Sequence, residues 1–179
     1  MNALIAIANG IEDMETVIAA DILVRAGMNV TLASVEDKQI KASRGVSIVA
    51  DALIEDVAEK EFDVVICPGG LPGAQALQDS QILKSIILRQ HSHRKWLAAI
   101  CASPAYVLAH HGILDSCKAT CYPGNEECIK HYVNQSVVTD SHVITSRGPG
   151  TAIPFALEIV TQMMGSEVAR KVASQGLFG

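Results

Sequence analysis

One cysteine stands where a nucleophile is expected. In the segment AAICASP, residues 98–104, a short apolar run ends at Cys101 and small residues follow. A cysteine at the end of a buried strand can be a small hydrophobic residue, half of a disulfide, a metal ligand or a nucleophile. The order of strand, cysteine, small residue and helix resembles the elbow that presents the nucleophile of α/β-hydrolases. Such an elbow places the thiol at a helix N-terminus, where partial positive charge lowers thiol pKa values.

The remaining cysteines and the histidines form no metal-binding pattern. Five cysteines cannot all pair within one chain, and repeated CxxC, HExxH and GxGxxG patterns are all missing. We therefore expect no metal site, no resident cofactor and reduced thiols. The residues concerned are Cys67, Cys117, Cys121 and Cys128, and His91, His93, His110, His111, His131 and His142.

A thiolate needs a proton partner, and the first predicted helix begins with three acidic residues. The pair His110-His111 comes nine and ten residues after Cys101, about 14 Å along the same predicted helix. These histidines are therefore poor general bases unless another copy of the chain or a loop brings one close. For the pair Glu12-Asp13, favourable charge at a helix N-terminus is a sufficient explanation. Glu15 lies one turn deeper and faces either solvent or the thiol. In the second case burial and neighbouring charge raise its pKa, so that a protonated carboxyl hydrogen-bonds the thiolate.

The composition bounds the class of protein. The chain has 179 residues, of which 49% are hydrophobic and 18% charged, which predicts one domain over residues 1–179 with a substantial core. A net charge of −5 with scattered basic residues argues against nucleic-acid recognition. Because the sequence shows neither a signal peptide nor a run of about 20 apolar residues, we expect a cytoplasmic protein without a membrane span.

The apolar pattern predicts a doubly wound α/β fold. Short apolar runs alternate with stretches of helical period, which is typical of a mostly parallel sheet covered by helices on both faces. The predicted strands are Asn2–Ala8, Asn29–Ser34, Gln39–Ala42, Val46–Val49, Phe62–Cys67, Trp96–Ile100, Val137–Asp140 and His142–Ser146. The predicted helices are Glu12–Ala26, Ser80–Gln90, Ser103–His111, Thr151–Met164 and Ser166–Ala173. In the first helix the predicted core stripe is Met14, Val17, Ile18 and Ile22, with Gly27 directly after the helix.

Four loops rich in small residues follow the predicted strands. They are Asn9-Gly10, Pro68-Gly69-Gly70, Cys101-Ala102-Ser103 and residues 146–150. Sites in parallel sheets gather beyond the carboxyl ends of the strands, so these loops are the predicted site. Backbone N–H groups of Gly69, Gly70 and Ala102 can converge there as a cradle for an oxyanion or a carboxylate.

Four motifs together resemble the ThiJ/PfpI superfamily. They are GIEDMETV at 10–17, VICPGG at 65–70, AAICASP at 98–104 and TSRGPGT at 145–151. The sequence looks closest to the parkinsonism-associated deglycase branch, which includes the bacterial YajL-type proteins. The motifs follow the family's order and spread over most of the chain, and their combination is far more specific than any one alone.

The resemblance implies a flavodoxin-like three-layer sandwich that forms a homodimer. It implies a cofactor-free glyoxalase or deglycase acting on methylglyoxal or glyoxal, or on their early adducts with protein or nucleotide, and giving lactate or glycolate. Family members also act as oxidation-sensitive chaperones or sensors. The resemblance assigns Cys101 as the reactive cysteine, Glu15 as the protonated carboxyl beside it, Gly69, Gly70 and Ala102 as N–H donors, Arg25 and Arg44 as anion-holding arginines across the dimer interface, and Tyr122 and Pro149 as site-lining residues.

Two positions depart from the wider family. Many members carry a histidine before a proline near the active site, and here Tyr122 stands before Pro123. The obvious acid–base histidine is thus missing, as it is in YajL-type members. The protease branch has histidine directly after the cysteine, where this chain has Ala102, so a peptidase is disfavoured.

Three functional hypotheses follow. In an enzyme, the Cys101 thiolate attacks the aldehyde carbon of a 2-oxoaldehyde while Glu15 moves protons. In a redox sensor or chaperone, Cys101 is oxidised to a sulfinate that accepts hydrogen bonds from Glu15 and backbone N–H groups. In a flavodoxin-like binding module, Cys101 is inert, with an ordinary thiol pKa of about 8.5.

Overall fold

The computed structural model describes residues 1–178, which contain a seven-stranded sheet and a separate two-stranded hairpin. The strands are β1 (Asn2–Ile7), β2 (Asn29–Ser34), β3 (Gln39–Lys41), β4 (Ser47–Val49), β5 (Ala52–Leu53), β6 (Val64–Cys67), β7 (Trp96–Ile100), β8 (Val137–Asp140) and β9 (Val143–Ser146). The large sheet has the order β5-β2-β1-β6-β7-β9-β8, and only β8 and β9 pair in antiparallel fashion. β3 and β4 form the antiparallel hairpin.

Helices cover both faces of the large sheet. They are α1 (Asp13–Arg25), α2 (Gly73–Asp79), α3 (Gln81–Ser92), a π-helix (Pro104–Ala109), α4 (Ala152–Met164) and α5 (Ser166–Gly176), with 3₁₀ turns at Ile54–Val57, Glu126–Cys128 and Pro149–Thr151. The crossover from β1 to β2 and that from β6 to β7 run in opposite directions along the sheet. Because such crossovers are right-handed, α1 lies on one face while α2 and α3 lie on the other. The predicted flavodoxin-like sandwich is confirmed.

The central strands carry the core and bring the predicted loops together. Residues 3–7 of β1 and 64–67 of β6 are fully buried, as expected for strands covered on both faces. β1, β6, β7 and β9 are consecutive neighbours in the sheet, so the loops after their carboxyl ends lie side by side. The Glu12 N–H donates to the Gly69 carbonyl at 2.8 Å, and the Cys101 N–H donates to the Ser146 carbonyl at 3.0 Å.

The predicted core stripe of α1 is wrong, because the helix is rotated about its axis relative to the prediction. Met14 and Val17 are 51% and 52% exposed, Ile18 is half-buried, and only Ile22 of the predicted stripe is buried. The face that packs inward consists of Asp13, Glu15, Thr16, Ala19, Ile22 and Leu23. The helix is therefore turned so that polar residues of its first two turns face the interior, while apolar side chains face outward.

Three other local predictions also need correction. The segment before α3 contains an unpredicted short helix, α2, whose Gly73 packs against the backbone of Ile11. The helix after Cys101 is wound as a π-helix, with the His110 N–H donating to the Ala105 carbonyl five residues earlier at 3.3 Å. The predicted Phe62–Cys67 strand begins at Val64.

Substituting Gly73 by alanine tests the close approach of α2 to the loop after β1. An added Cβ would lie 2.5 Å from the Ile11 nitrogen and 2.6 Å from its Cα. We expect Gly73→Ala to lower the free energy of unfolding by about 1–3 kcal/mol, because backbone must move to admit the methyl group. Urea unfolding measures this, with Gly150→Ala as the control, since nothing lies within 4 Å of a Cβ at Gly150. Equal stability of the two variants would contradict the packing described here.

Candidate active site

Cys101 sits on a sharp turn between β7 and the π-helix. Its φ is +65°, in the left-handed region that a cysteine rarely adopts. The backbone is held there from both sides: its N–H donates to the Ser146 carbonyl at 3.0 Å, and its carbonyl accepts from the Tyr122 N–H at 2.7 Å. The buried Ser103 hydroxyl donates to the Pro68 carbonyl, joining this turn to the loop after β6. The elbow predicted from the sequence is present, and Cys101 is 9% exposed.

Glu15 faces the thiol, which answers the question that the sequence left open. It lies in the first turn of α1 and is 1% exposed. Its Oε2 accepts a hydrogen bond from the Gly69 N–H at 2.7 Å, while Oε1 is buried without a partner among residues 1–178. A Cβ placed on Gly69 would lie 2.5 Å from the Cys101 Cβ and 2.9 Å from Glu15 Oε2. Glycine at 69 is thus what allows the carboxyl and the thiol to meet.

The environment favours the protonated form of Glu15. Burial raises the pKa of Glu15 from its ordinary 4.5 to about 7, against the opposing effects of the Gly69 N–H and the Cys101 thiol. The nearby charge of Glu12 raises this pKa further. At neutral pH the carboxyl therefore exchanges a proton readily, which is the property that a general acid–base group requires.

The thiol shows the opposite of the shift expected from a helix N-terminus. Burial raises the pKa of Cys101 to about 12, and the charge of ionised Glu15 adds to the rise. The N–H groups of Gly70 and Ala102 bond the sulfur and lower its pKa, but they do not outweigh burial. The effect of Glu15 depends on its own proton, because a neutral carboxyl donates a hydrogen bond to sulfur whereas a carboxylate repels the thiolate. The carboxyl and the thiol therefore titrate as a coupled pair: ionisation of one raises the pKa of the other, so the pair keeps one of its two protons.

The three predicted backbone donors have different partners. The N–H groups of Gly70 and Ala102 point at the Cys101 sulfur. The Gly69 N–H is taken up by Glu15. The cradle around the sulfur is therefore formed by two N–H groups, with the third orienting the carboxyl.

The two predicted arginines do not reach the thiol within this chain. Arg25 lies at the far end of α1, ten residues or about 15 Å of helix from Glu15, where its Nε pairs with Asp21 Oδ2 at 2.6 Å. Arg44 is 79% exposed, and its Nε lies 4.0 Å from Glu12 Oε2. Arg44 thus approaches the edge of the site through Glu12, whereas Arg25 stays on the surface.

Tyr122 and Pro149 line one depression beside the elbow. The cavity has a volume of about 250 Å³, and Arg147 and Gly148 form part of its wall. Tyr122 is joined to Cys101 by its N–H, and its ring lies against Gly148. The residue in the place of the family histidine thus supports the elbow through its backbone.

Sequence reasoning missed the hydroxyl groups of Ser43 and Ser103. Ser43 donates to Glu12 Oε2 at 2.7 Å from the loop between β3 and β4, 31 residues away in the chain. No local pattern marks such a contact, because it depends on where the hairpin packs. In the described part of the chain all five cysteines are free and no group of three His, Cys, Asp or Glu is arranged to hold a metal ion. Over the same residues, every helix is too short or too polar to cross a membrane.

Replacing Glu15 by glutamine should stabilise the protein at alkaline pH. The folded pKa of Glu15, about 7, lies above its ordinary 4.5, so ionisation costs stability as pH rises from 4.5 to 7. At pH 8 the full cost is about 3 kcal/mol at 1.36 kcal/mol per pKa unit, and glutamine avoids it. Chemical unfolding at pH 4 and pH 8 should show a gain for Glu15→Gln only at pH 8. Exposed Glu167→Gln is the control, and an equal gain at both pH values would contradict the buried carboxyl.

The chain is similar to known proteins over almost its whole length. A model of the DJ-1/PfpI family matches residues 1–162. The Parkinson disease protein 7 homolog of Danio rerio is 43% identical over 177 residues, covering 95% of this chain and 93% of that protein. A glutathione-independent glyoxalase of Caenorhabditis elegans is 36% identical over 158 residues, covering 87% of this chain and 84% of that protein. The solved structure of oxidized Toxoplasma gondii DJ-1 has a TM-score of 0.97 and 38% identity, covering 98% of this chain and 97% of that one. The chain therefore belongs to the DJ-1/PfpI family, as its four motifs predicted.

Proposed function

We propose that this protein is a cofactor-free, cysteine-dependent glyoxalase and deglycase. The observation that carries the proposal is the buried Glu15 carboxyl, with its pKa near 7, beside the Cys101 thiol on its elbow. The relative named a glutathione-independent glyoxalase supports the same substrate class, small 2-oxoaldehydes. Methylglyoxal would give lactate and glyoxal would give glycolate, and early adducts of these aldehydes on protein or nucleotide would enter at the same carbon.

The reaction begins with formation of a carbon–sulfur bond. Proton transfer from Cys101 to Glu15 leaves a thiolate, which attacks the aldehyde carbon of methylglyoxal. Glu15 then returns the proton to the new alkoxide, which gives a neutral hemithioacetal. The N–H groups of Gly70 and Ala102, which point at the sulfur, also lie where negative charge develops on the adduct.

The rearrangement then needs a base that becomes an acid again. The Glu15 carboxylate carries the proton of the former aldehyde carbon to the ketone oxygen, which gives an enediol. It then carries the proton of the other hydroxyl, on the former aldehyde carbon, to the neighbouring carbon. The product is a thioester of lactate on Cys101. Water hydrolyses the thioester to lactate and restores the thiol, so the sum is methylglyoxal plus water giving lactic acid. No electrons leave the substrate, because one carbon is oxidised as its neighbour is reduced.

A redox sensor or chaperone that uses the same thiol is the second candidate. The solved Toxoplasma gondii relative is named as oxidized, and here the N–H groups of Gly70 and Ala102 supply hydrogen-bond donors around the sulfur, to which a protonated Glu15 would add a third. Two equivalents of peroxide would convert the thiolate through a sulfenate to a sulfinate, releasing water at each step. Such a sensor is consumed once per site, whereas an enzyme turns over repeatedly.

Lactate formation from methylglyoxal tests the proposed function. Reduced protein should form many equivalents of lactate per chain, measured directly, and Cys101→Ser should fall to the uncatalysed background. Glu15→Gln should be slower by about 10²–10⁴-fold, the usual contribution of a general acid–base group. Cys128→Ser, which alters an exposed free thiol, should keep full activity. If the parent forms no more lactate than Cys101→Ser, the proposed glyoxalase activity is wrong. Peroxide titration of Cys101 is then the next experiment.

We also propose that the protein forms a homodimer through the outward face of α1 and the β3–β4 hairpin. Exposed apolar side chains gather there, and a cavity of about 360 Å³ between the two elements is lined mainly by apolar groups. The exposed apolar residues are Met14, Val17, Val24, Val46 and Val49. Arg25 and Arg44 lie on these same elements, so a partner chain seated there would bring its own arginines toward the site.

Introducing one positive charge into this apolar face should dissociate the dimer. Val17→Lys places a cation one turn before the exposed Asp21 on the surface of α1, which keeps α1 stable while removing apolar contact area. Sedimentation velocity should show a lower mass for Val17→Lys at concentrations where the parent is dimeric. Leu88→Lys, at an exposed apolar position on α3, should sediment like the parent. A monomeric parent, or a dimeric Val17→Lys, would overturn the proposed interface.

A further inference from the structure

The acidic start of α1 is fastened to the segment that contains the β3–β4 hairpin. Ser43 donates its hydroxyl to Glu12 Oε2 at 2.7 Å and its N–H to the Ile11 carbonyl at 2.8 Å. The N–H groups of Arg44 and Val46 donate to the two oxygens of Asp13 at 2.8 and 3.2 Å. These contacts hold both Glu12 and Asp13 in buried positions, which a helix N-terminus alone does not require.

Glu12 and Glu15 both hydrogen-bond the backbone of Gly69. The Glu12 N–H donates to the Gly69 carbonyl at 2.8 Å, and the Gly69 N–H donates to Glu15 Oε2 at 2.7 Å. The two side chains are 6% and 1% exposed, so a second carboxylate lies in the same buried turn as the catalytic candidate. Its charge is balanced on its far side by the Ser43 hydroxyl and by the Arg44 guanidinium at 4.0 Å.

We propose that Glu12 is a positioning residue that strengthens the hold of Glu15 on the proton that it receives from Cys101. A fixed negative charge one turn away opposes ionisation of Glu15, because two carboxylates in a buried region repel each other. The inference deepens the proposed function and rests on it only for its effect on turnover. The titration of Glu15 itself can be followed without any substrate.

The groups that act on Glu15 are few within residues 1–178. They are the Cys101 thiol from the end of β7, Glu12 from the same helix, and the Gly69 N–H from the loop after β6. Asp13 is turned toward the hairpin, where backbone N–H groups of Arg44 and Val46 and the Ser43 hydroxyl hold its pKa low against the effect of burial. Arg44 reaches Glu12 rather than Glu15. Asp13 therefore offers a matched control: the same charge, one residue further on, fastened to the same hairpin.

The test is a titration of Glu15 in protein labelled with ¹³C at the glutamate carboxyl carbons. The Glu15 resonance is assigned by its loss in Glu15→Gln, and its midpoint in the parent is expected near pH 7. In Glu12→Gln, which keeps the shape and removes the charge, the midpoint should move to lower pH. In Asp13→Asn it should stay where it is in the parent. Glu12→Ser is a second neutral variant, since serine is a favoured residue at the position before a helix.

The outcomes separate this inference from the proposed function. A midpoint that does not move in either Glu12 variant overturns the positioning role, and so does an equal movement in Asp13→Asn, which would show a general effect of charge or of the loosened hairpin. If the parent makes lactate, its pH–rate profile should shift with the Glu15 midpoint in Glu12→Gln. If the parent makes none, the proposed function fails while the titration still decides the role of Glu12.

Discussion

The contact between the buried Glu15 carboxyl and the Gly69 N–H is the constraint from which the rest of the site follows. A carboxyl in the interior is costly unless its oxygens find donors or a proton. Here one oxygen accepts from Gly69 at 2.7 Å, and the other, which has no hydrogen-bond partner in the described residues 1–178, is where a proton is most needed. Glycine at 69 is required because a side chain there would strike both the Cys101 Cβ and the carboxyl. The thiol, the carboxyl and the tight loop thus depend on one another.

The same contact explains the unusual rotation of α1. To bring Glu15 inward, the helix turns Thr16 inward as well, and Thr16 bonds the Glu12 carbonyl at 2.9 Å. Met14 and Val17, which the pattern of apolar residues assigned to the core, are turned outward as a result. The rotation of α1 that turns Glu15 toward the thiol therefore also exposes the apolar side chains of the proposed dimer face. A change at Glu15 that freed the helix to rotate would expose the site and bury the surface together.

What the sequence predicts well here is what local pattern determines. Strands that are apolar on both faces, small residues after each strand, and Cys101 at the end of β7 were all readable, and they placed four loops at one edge of the sheet. The direction of Glu15 was not readable, because the donor that compensates its burial lies 54 residues away. The helix α2 was missed because it has only seven residues and follows directly on Pro72, and its position is fixed by packing of Gly73 on Ile11. Tertiary contacts outweigh local propensity at these positions.

The raised pKa of Cys101 changes how the reactivity of this site is understood. A thiol with a pKa near 12 is a poor nucleophile on its own, and the helix N-terminus that suggested a thiolate is outweighed by burial. Reactivity then has to come from the pair, through proton transfer to a carboxyl whose pKa is near 7. Once Glu15 holds the proton, it donates to the thiolate instead of repelling it, so the same residue changes from a hindrance to a support.

The double role proposed for Glu15 also accounts for Tyr122 in the place of the family histidine. In the proposed reaction Glu15 supplies every proton transfer, so no imidazole is required beside the thiol. The backbone of Tyr122 still supports the site. Its N–H donates to the Cys101 carbonyl at 2.7 Å and so helps to maintain the left-handed turn. Tyrosine can replace histidine at this position without loss of the elbow, because hydrogen bonds from main-chain groups stabilise the left-handed conformation of Cys101. The proposed reaction can proceed without the histidine because a single carboxyl, that of Glu15, serves as both acid and base.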